Sequence, residues 1–226
     1  MKVMKKTRWG VAVFTLALVL AFGLVLIYAG CRLDSGSGPS SSPSGTIPGV
    51  PTSVIANLAS TKKSINVSWY SVSGAEGYYV YRSLGVGNTS SRVETTSSTS
   101  YIDTNLSEGT TYYYTVSAWN SAGVSGQSSP VSATTVPGVP RNVTAEALAA
   151  MTIRVSWDLV SGATGYRIYR STGGSNTYSF SLVGSSISSS FTDYGLDPGT
   201  TYYYTVAAYN SGGEGQQSTY VQATTW

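Results

Sequence analysis

The chain has no histidine, one cysteine, and few charges: 13 lysines and arginines against 10 aspartates and glutamates in 226 residues. Each scarcity removes a class of chemistry. Without histidine, neither a His-based catalytic triad nor His metal ligation can be assembled. Serine is abundant, but serine without a base is a surface hydroxyl. A lone cysteine, Cys31, excludes an intrachain disulfide, so any small domain must be held by apolar burial alone. The net charge of +3 is also less than it looks. Lys2, Lys5, Lys6 and Arg8 all fall in the first 30 residues, which hold no acidic residue, and the remainder has nine basic residues against ten acidic. No basic cluster larger than Lys62-Lys63 remains, which argues against nucleic-acid binding.

The acidic side chains offer no active site either. Glu146, Asp158, Asp193, Asp197 and Glu214 are scattered over different expected strands and loops. Asp103 and Asp193 recur at equivalent places in two halves of the chain, which points to a turn or corner role rather than to a carboxylate pair for glycoside hydrolysis. Glu108 and Asp197 fall in turns where solvation suffices. The expectation is a non-enzymatic protein with no metal and no cofactor.

What is present begins with an address. Met1 to Arg8 is basic, Val11 to Ile27 is almost wholly apolar, and Tyr28-Ala29-Gly30-Cys31 places small residues directly before the cysteine. That order reads as an export signal. It resembles the bacterial lipoprotein signal, with Ala29 and Gly30 at the positions before the cut and Tyr28 where the family has leucine or another aliphatic residue. The resemblance implies lipidation of Cys31 and a lipid-anchored place in a bacterial cell envelope. Arg32 stands where an aspartate would imply retention in the inner membrane, so the outer membrane or cell surface is expected. The apolar stretch is also long enough to serve as an uncleaved anchor. Either way residues 1–30 lead the chain out of the cell and attach it to a membrane.

Residues 31–48 are rich in Ser, Gly and Pro, lack periodicity, and cannot bury enough surface to fold. They read as a tether with a reach of roughly 20–25 Å. Beyond it the chain repeats itself. Pro48-Gly49-Val50-Pro51 returns as Pro137-Gly138-Val139-Pro140, Val67-Ser68-Trp69 as Val155-Ser156-Trp157, and Gly109 through Val116 recurs unchanged as Gly199 through Val206. The offsets of 89, 88 and 90 residues make each unit a whole small domain rather than a solenoid repeat. Inside each unit, apolar residues alternate at period two between Gly/Ser/Asn turns: Ile65, Val67 and Trp69; Tyr78 and Val80; Tyr112, Tyr114, Val116 and Ala118. Period two predicts antiparallel strands, so an all-β fold is expected over residues 49–136 and 137–226.

The order Pro start, I-x-V-S-W, G-Y-x-V/I-Y-R, then D-x-x-L-x-x-G-T-x-Y-x-Y-x-V in both halves resembles fibronectin type III, an immunoglobulin-like β-sandwich. The resemblance implies that Trp69 and Trp157 pack centrally and that Tyr112 and Tyr202, six residues after Leu106 and Leu196, form the tyrosine corner. It specifies fold and not function.

Strict alternation then turns other rings outward. With Tyr78, Val80, Tyr112 and Tyr114 inside, the rings of Tyr79, Tyr81, Tyr113 and Trp119 share the outer face of one sheet, echoed in the second unit by Tyr169, Tyr203 and Tyr209. Such a row can bind protein or carbohydrate, or it can stabilise a sheet that has no disulfide. The B–C loops (residues 70–77 and 158–165) and the F–G loops (residues 120–126 and 210–215) form a second candidate surface, although their Ser/Gly/Asn content is also ordinary turn chemistry. Two functions fit: an interaction or adhesion module for an unknown protein or carbohydrate ligand, or a spacer or scaffold subunit of an envelope assembly.

Overall fold

The computed structural model describes residues 45–87, 89–173 and 179–226. The expected export signal, Cys31 and the expected tether as far as residue 44 lie outside the described residues. Among the described residues every regular element is a strand, and no helix is long and apolar enough to cross a membrane.

The first half forms two antiparallel sheets. Ile55–Leu58 (β1), Ile65–Ser68 (β2) and Ser100–Asp103 (β5) pair in the order β1-β2-β5. Gly77–Ser83 (β3), Ser91–Thr96 (β4), Thr111–Asn120 (β6) and Gly123–Val124 (β7) pair in the order β4-β3-β6-β7, and Val131–Thr134 (β8) lies along β6. The second half repeats this. Its small sheet holds Thr144–Ala149 (β9), Thr152–Ser156 (β10) and Ser190–Tyr194 (β13). Its large sheet holds Gly165–Ser171 (β11), Ser181–Ser186 (β12), Thr201–Asn210 (β14), Gly213–Glu214 (β15) and Val221–Thr224 (β16).

Each sandwich closes on the residues that alternation turns inward. Ile65, Val67, Trp69, Tyr78, Val80, Tyr112, Tyr114, Val116 and Ala118 fill the first core, and Ile153, Val155, Trp157, Tyr166, Ile168, Tyr202, Tyr204, Val206 and Ala208 the second. The central tryptophans meet tyrosines of the opposite sheet, Trp69 on Tyr78 at 5.3 Å and Trp157 on Tyr166 at 5.1 Å between ring centroids. Tyrosine in a core needs a partner for its hydroxyl, and loop backbone supplies it. The N–H of Ser107 donates to the Tyr112 hydroxyl at 3.0 Å and that of Asp197 to Tyr202 at 2.9 Å. A second pair of such corners closes the B–C loops, where Val72 N–H donates to Tyr78 and Val160 N–H to Tyr166.

Asp103 and Asp193 do more than the turn or corner role expected of them. Both are buried. The Tyr114 hydroxyl donates to Asp103 at 2.9 Å while the Arg82 guanidinium reaches both carboxylate oxygens at 2.9 and 3.0 Å. Tyr204 and Arg170 hold Asp193 through one of its carboxylate oxygens, each at 2.9 Å. The aspartate belongs to one sheet and its partners to the other, so the bond crosses the sandwich. A carboxylate can be buried there because a cation and a hydroxyl together satisfy it.

Truncating Asp103 to Ala should cost the first domain about 3 kcal/mol, the low end for breaking a buried pair because Arg82 stays partly exposed; urea unfolding reads this directly. Burial first, and the adjacent carboxylate second, raise the Tyr114 and Tyr204 hydroxyls above the ordinary tyrosine range. In the unfolded chain a tyrosine ionises near 10.0, so above that pH the unfolded state holds fewer protons than the folded one. Stability should therefore fall as pH rises past about 10, by ~1.4 kcal/mol per pH unit for each tyrosine kept neutral. Replacing both by Phe should flatten the slope, and an unaltered alkaline limb would contradict the assignment.

Candidate functional site

The outer face of the large sheet is set by the same alternation that fills the core. On β6, inward Tyr112, Tyr114, Val116 and Ala118 leave Tyr113, Thr115, Ser117 and Trp119 outside; on β3 the outward set is Gly77, Tyr79, Tyr81 and Ser83. All seven aromatic candidates, Tyr79, Tyr81, Tyr113, Trp119, Tyr169, Tyr203 and Tyr209, are half-buried on these faces. None of them is in either core.

In the first domain Trp119 lies across the sheet. Its cross-strand partner is Gly77, and a Cβ at that glycine would come within 2.7 Å of the indole. The missing side chain is thus what seats the ring, an arrangement in which an aromatic covers a strand glycine. From that seat Trp119 stacks on Tyr79, with centroids 5.8 Å apart and planes 18° from parallel. The Arg92 guanidinium sits over Tyr79, 4.6 Å from the ring centroid. Indole, phenol and guanidinium form one ladder over the face, and Ser117 beneath is buried.

The second domain builds its face from ions. Tyr209 covers Gly165 as Trp119 covers Gly77; a Cβ there would lie 2.5 Å from the phenol oxygen. Arg167 stands 5.3 Å from the centroid of Tyr209 and pairs with Glu214. The Tyr169 hydroxyl donates to the same carboxylate at 2.7 Å. Burial, and then that bond, raise the Tyr169 hydroxyl above its ordinary range. Tyr203 meets Tyr220 edge-on at 5.7 Å. Five of the seven candidates are therefore engaged within their own domain. Tyr81 and Tyr113 alone have no ring or hydrogen-bonding side-chain partner among the described residues.

Sequence reasoning missed the groups that engage these rings. Arg92 and Glu214 come from β4 and β15, and nothing in a period-two pattern says which charged neighbour will reach across. Arg82 and Arg170 were open to detection, since both follow tyrosine at an offset of 88 residues while the aspartates repeat at 90. Among the described residues no group of histidine, cysteine or carboxylate side chains could hold a metal ion.

The match to known families settles the classification. The model of the fibronectin type III domain matches residues 49–134 and again 138–224. The chain belongs to the fibronectin type III family. It is 33% identical over 189 residues to exoglucanase B of Cellulomonas fimi, covering 74% of this chain and 16% of that protein. It is 30% identical to chitinase A1 of Niallia circulans, covering 75% of this chain and 25% of the relative, and 32% identical to mouse fibronectin type III domain-containing protein 7, covering 79% and 24%. The chain thus spans a quarter or less of these relatives, and with the enzymes it shares the fibronectin type III part and not the catalytic part. A two-domain fibronectin type III segment of chicken tenascin covers 77% of this chain, and 99% of that segment is matched, at 20% identity and a TM-score of 0.46. The fibronectin type III pair is a non-catalytic module of the binding or spacer kind.

Because Tyr79 and Trp119 touch only through their rings, a double-mutant cycle on their alanine variants should give a coupling of about 0.5–1.5 kcal/mol. Tyr81→Ala alone should shift stability by less than about 0.5 kcal/mol. Chemical denaturation of the four proteins of the cycle and of Tyr81→Ala measures both values, and zero coupling would mean the stack adds nothing.

Proposed function

We propose that this chain is a non-enzymatic spacer or scaffold of the bacterial cell envelope. The observation that carries the reading is the internal engagement of the outward aromatics: Trp119 on Tyr79 under Arg92, Tyr209 and Tyr169 on Arg167 and Glu214, Tyr203 on Tyr220. Rings already packed against their own sheet stabilise it and have less surface to offer a ligand. Its relatives named as exoglucanase and chitinase are similar to it only in the fibronectin type III part, which agrees with a module that holds other parts apart. The lipoprotein-like segment ending at Cys31 supports export, lipidation of that cysteine, and a place at the outer membrane or cell surface.

An interaction or adhesion module for protein or glycan is the second reading, and Tyr81 and Tyr113 favour it. They are the two rings on the first domain's face left without a ring or hydrogen-bonding side-chain partner among the described residues, and Tyr113 lines a small groove with Ser83, Val86, Gln127 and Pro130.

Mass spectrometry of the chain extracted from membranes should find a mature protein that begins at an acylated Cys31; a mass starting there without acyl chains would exclude the lipid anchor. In a glycan-array and pull-down screen with the intact protein, the spacer reading expects no ligand whose capture depends on Tyr81 or Tyr113. A hit abolished by Tyr81→Ala and Tyr113→Ala would instead establish the interaction module.

A further inference from the structure

The loops at the B–C and F–G end of both domains already have an occupant. In the second domain the amide nitrogen of Asn210 donates to the Thr135 carbonyl at 2.9 Å and to the Gly162 carbonyl at 3.1 Å, while its oxygen accepts from Gly212 N–H at 2.8 Å. One buried side chain thus ties the end of the first domain to both loops of the second. Asn120 does the same in the first domain, donating to Thr46 and Gly74 carbonyls at 2.9 and 3.0 Å and accepting from Ala122 N–H at 2.9 Å. The residues held are equivalent: Thr46 and Ile47 stand 89 positions before Thr135 and Val136. Ile47 packs against Gly123 as Val136 packs against Gly213. The upper end of the expected tether, residues 45–48, is therefore docked, and Pro48 is buried.

Glycine then distinguishes the joint between domains from the outer end of each domain. Gly109 and Gly162 face each other across it, and a Cβ on either would overlap backbone of the other domain: the Ser161 carbonyl for Gly109, the Gly109 carbonyl for Gly162. Their counterparts Gly199 and Gly74 have nearly the same backbone, with φ of 64° and 74° against 62° and 70°, yet a Cβ there meets nothing within 4 Å. Gly212 and Gly215 likewise admit the Thr134 and Pro137 carbonyls, where the first domain has Ala122 and Ser125. Lys62 adds a bond to the Glu214 carbonyl at 2.7 Å.

We propose that these loops are coupling sockets for the preceding chain rather than ligand-binding loops, and that they hold the stem, the first sandwich and the second as one rigid body from Gly45 to Trp226. The inference goes beyond the spacer reading, since a spacer can also be flexible; the joint can fail while the spacer stands, and the reverse.

Pulsed electron–electron distance measurements on the full chain in detergent micelles, with Cys31→Ser to leave only introduced thiols, test it. Spin labels at Ser98→Cys and Ser188→Cys, both exposed, report the joint, and labels at Thr46→Cys and Ser98→Cys report the stem. Both distributions should be narrow. Gly109→Ala and Gly162→Ala should widen the joint distribution by about twofold as the domains gain the freedom usual for loosely joined pairs, whereas Gly199→Ala and Gly74→Ala, with the same φ strain, should leave it unchanged. Asn120→Ala should widen only the stem distribution. A broad joint distribution in the parent, or equal widening by the matched controls, would overturn the proposal. Near-ultraviolet circular dichroism of each variant confirms that both sandwiches remain folded.

Discussion

The bond from the Tyr114 hydroxyl to Asp103, with Arg82 on the same carboxylate, is the interaction on which the first sandwich turns, and Tyr204, Asp193 and Arg170 repeat it in the second. Two sheets packed by apolar contact alone can slide, because the hydrophobic effect is non-directional. A hydrogen bond with fixed partners on opposite sheets sets the register of one layer against the other. Alternation decides which face of β6 looks inward; the bond fixes where that face meets the opposite sheet. The cation also lies over the corner tyrosine, Arg82 at 5.5 Å from the Tyr112 centroid and Arg170 at 5.3 Å from Tyr202. Tie and corner are thus mechanically one unit.

The all-β fold, the two domains and the inward residues were legible because half-buried strands write their burial at period two, and because a duplicated pattern can be checked against itself. Tyr113 and Trp119 were placed outside by counting alone. What counting could not reach was lateral. Whether an outward ring is open depends on its neighbours one strand over, on Arg92 from β4 or Glu214 from β15, and on a glycine opposite it. Such relations join residues far apart in the chain, and alternation within one strand carries no trace of them. The bond that Asp103 makes across the sandwich was out of reach for the same reason: its partners Arg82 and Tyr114 lie on the other sheet.

The extent of the tether was hidden for another reason. Gly45 to Pro48 has the composition of a flexible segment, yet Asn120 holds its backbone, and backbone carbonyls are present whatever the side chains are. The two halves of the chain, compared position by position, do contain the clue. Glycine at 212 and 215 against Ala122 and Ser125 marks the end where another domain's backbone comes close.

A sandwich closed by an aspartate, an arginine and a tyrosine asks nothing of its surroundings in redox terms. Immunoglobulin domains that rely on an inter-sheet disulfide need an oxidant, and often an isomerase, before they are secure. Here the clasp is a hydrogen-bonded ion pair with no sulfur in it, the same in reducing and oxidising conditions. A chain threaded unfolded across a membrane would need no thiol-oxidising partner on the far side, and its single cysteine has no second one in the chain with which to mispair.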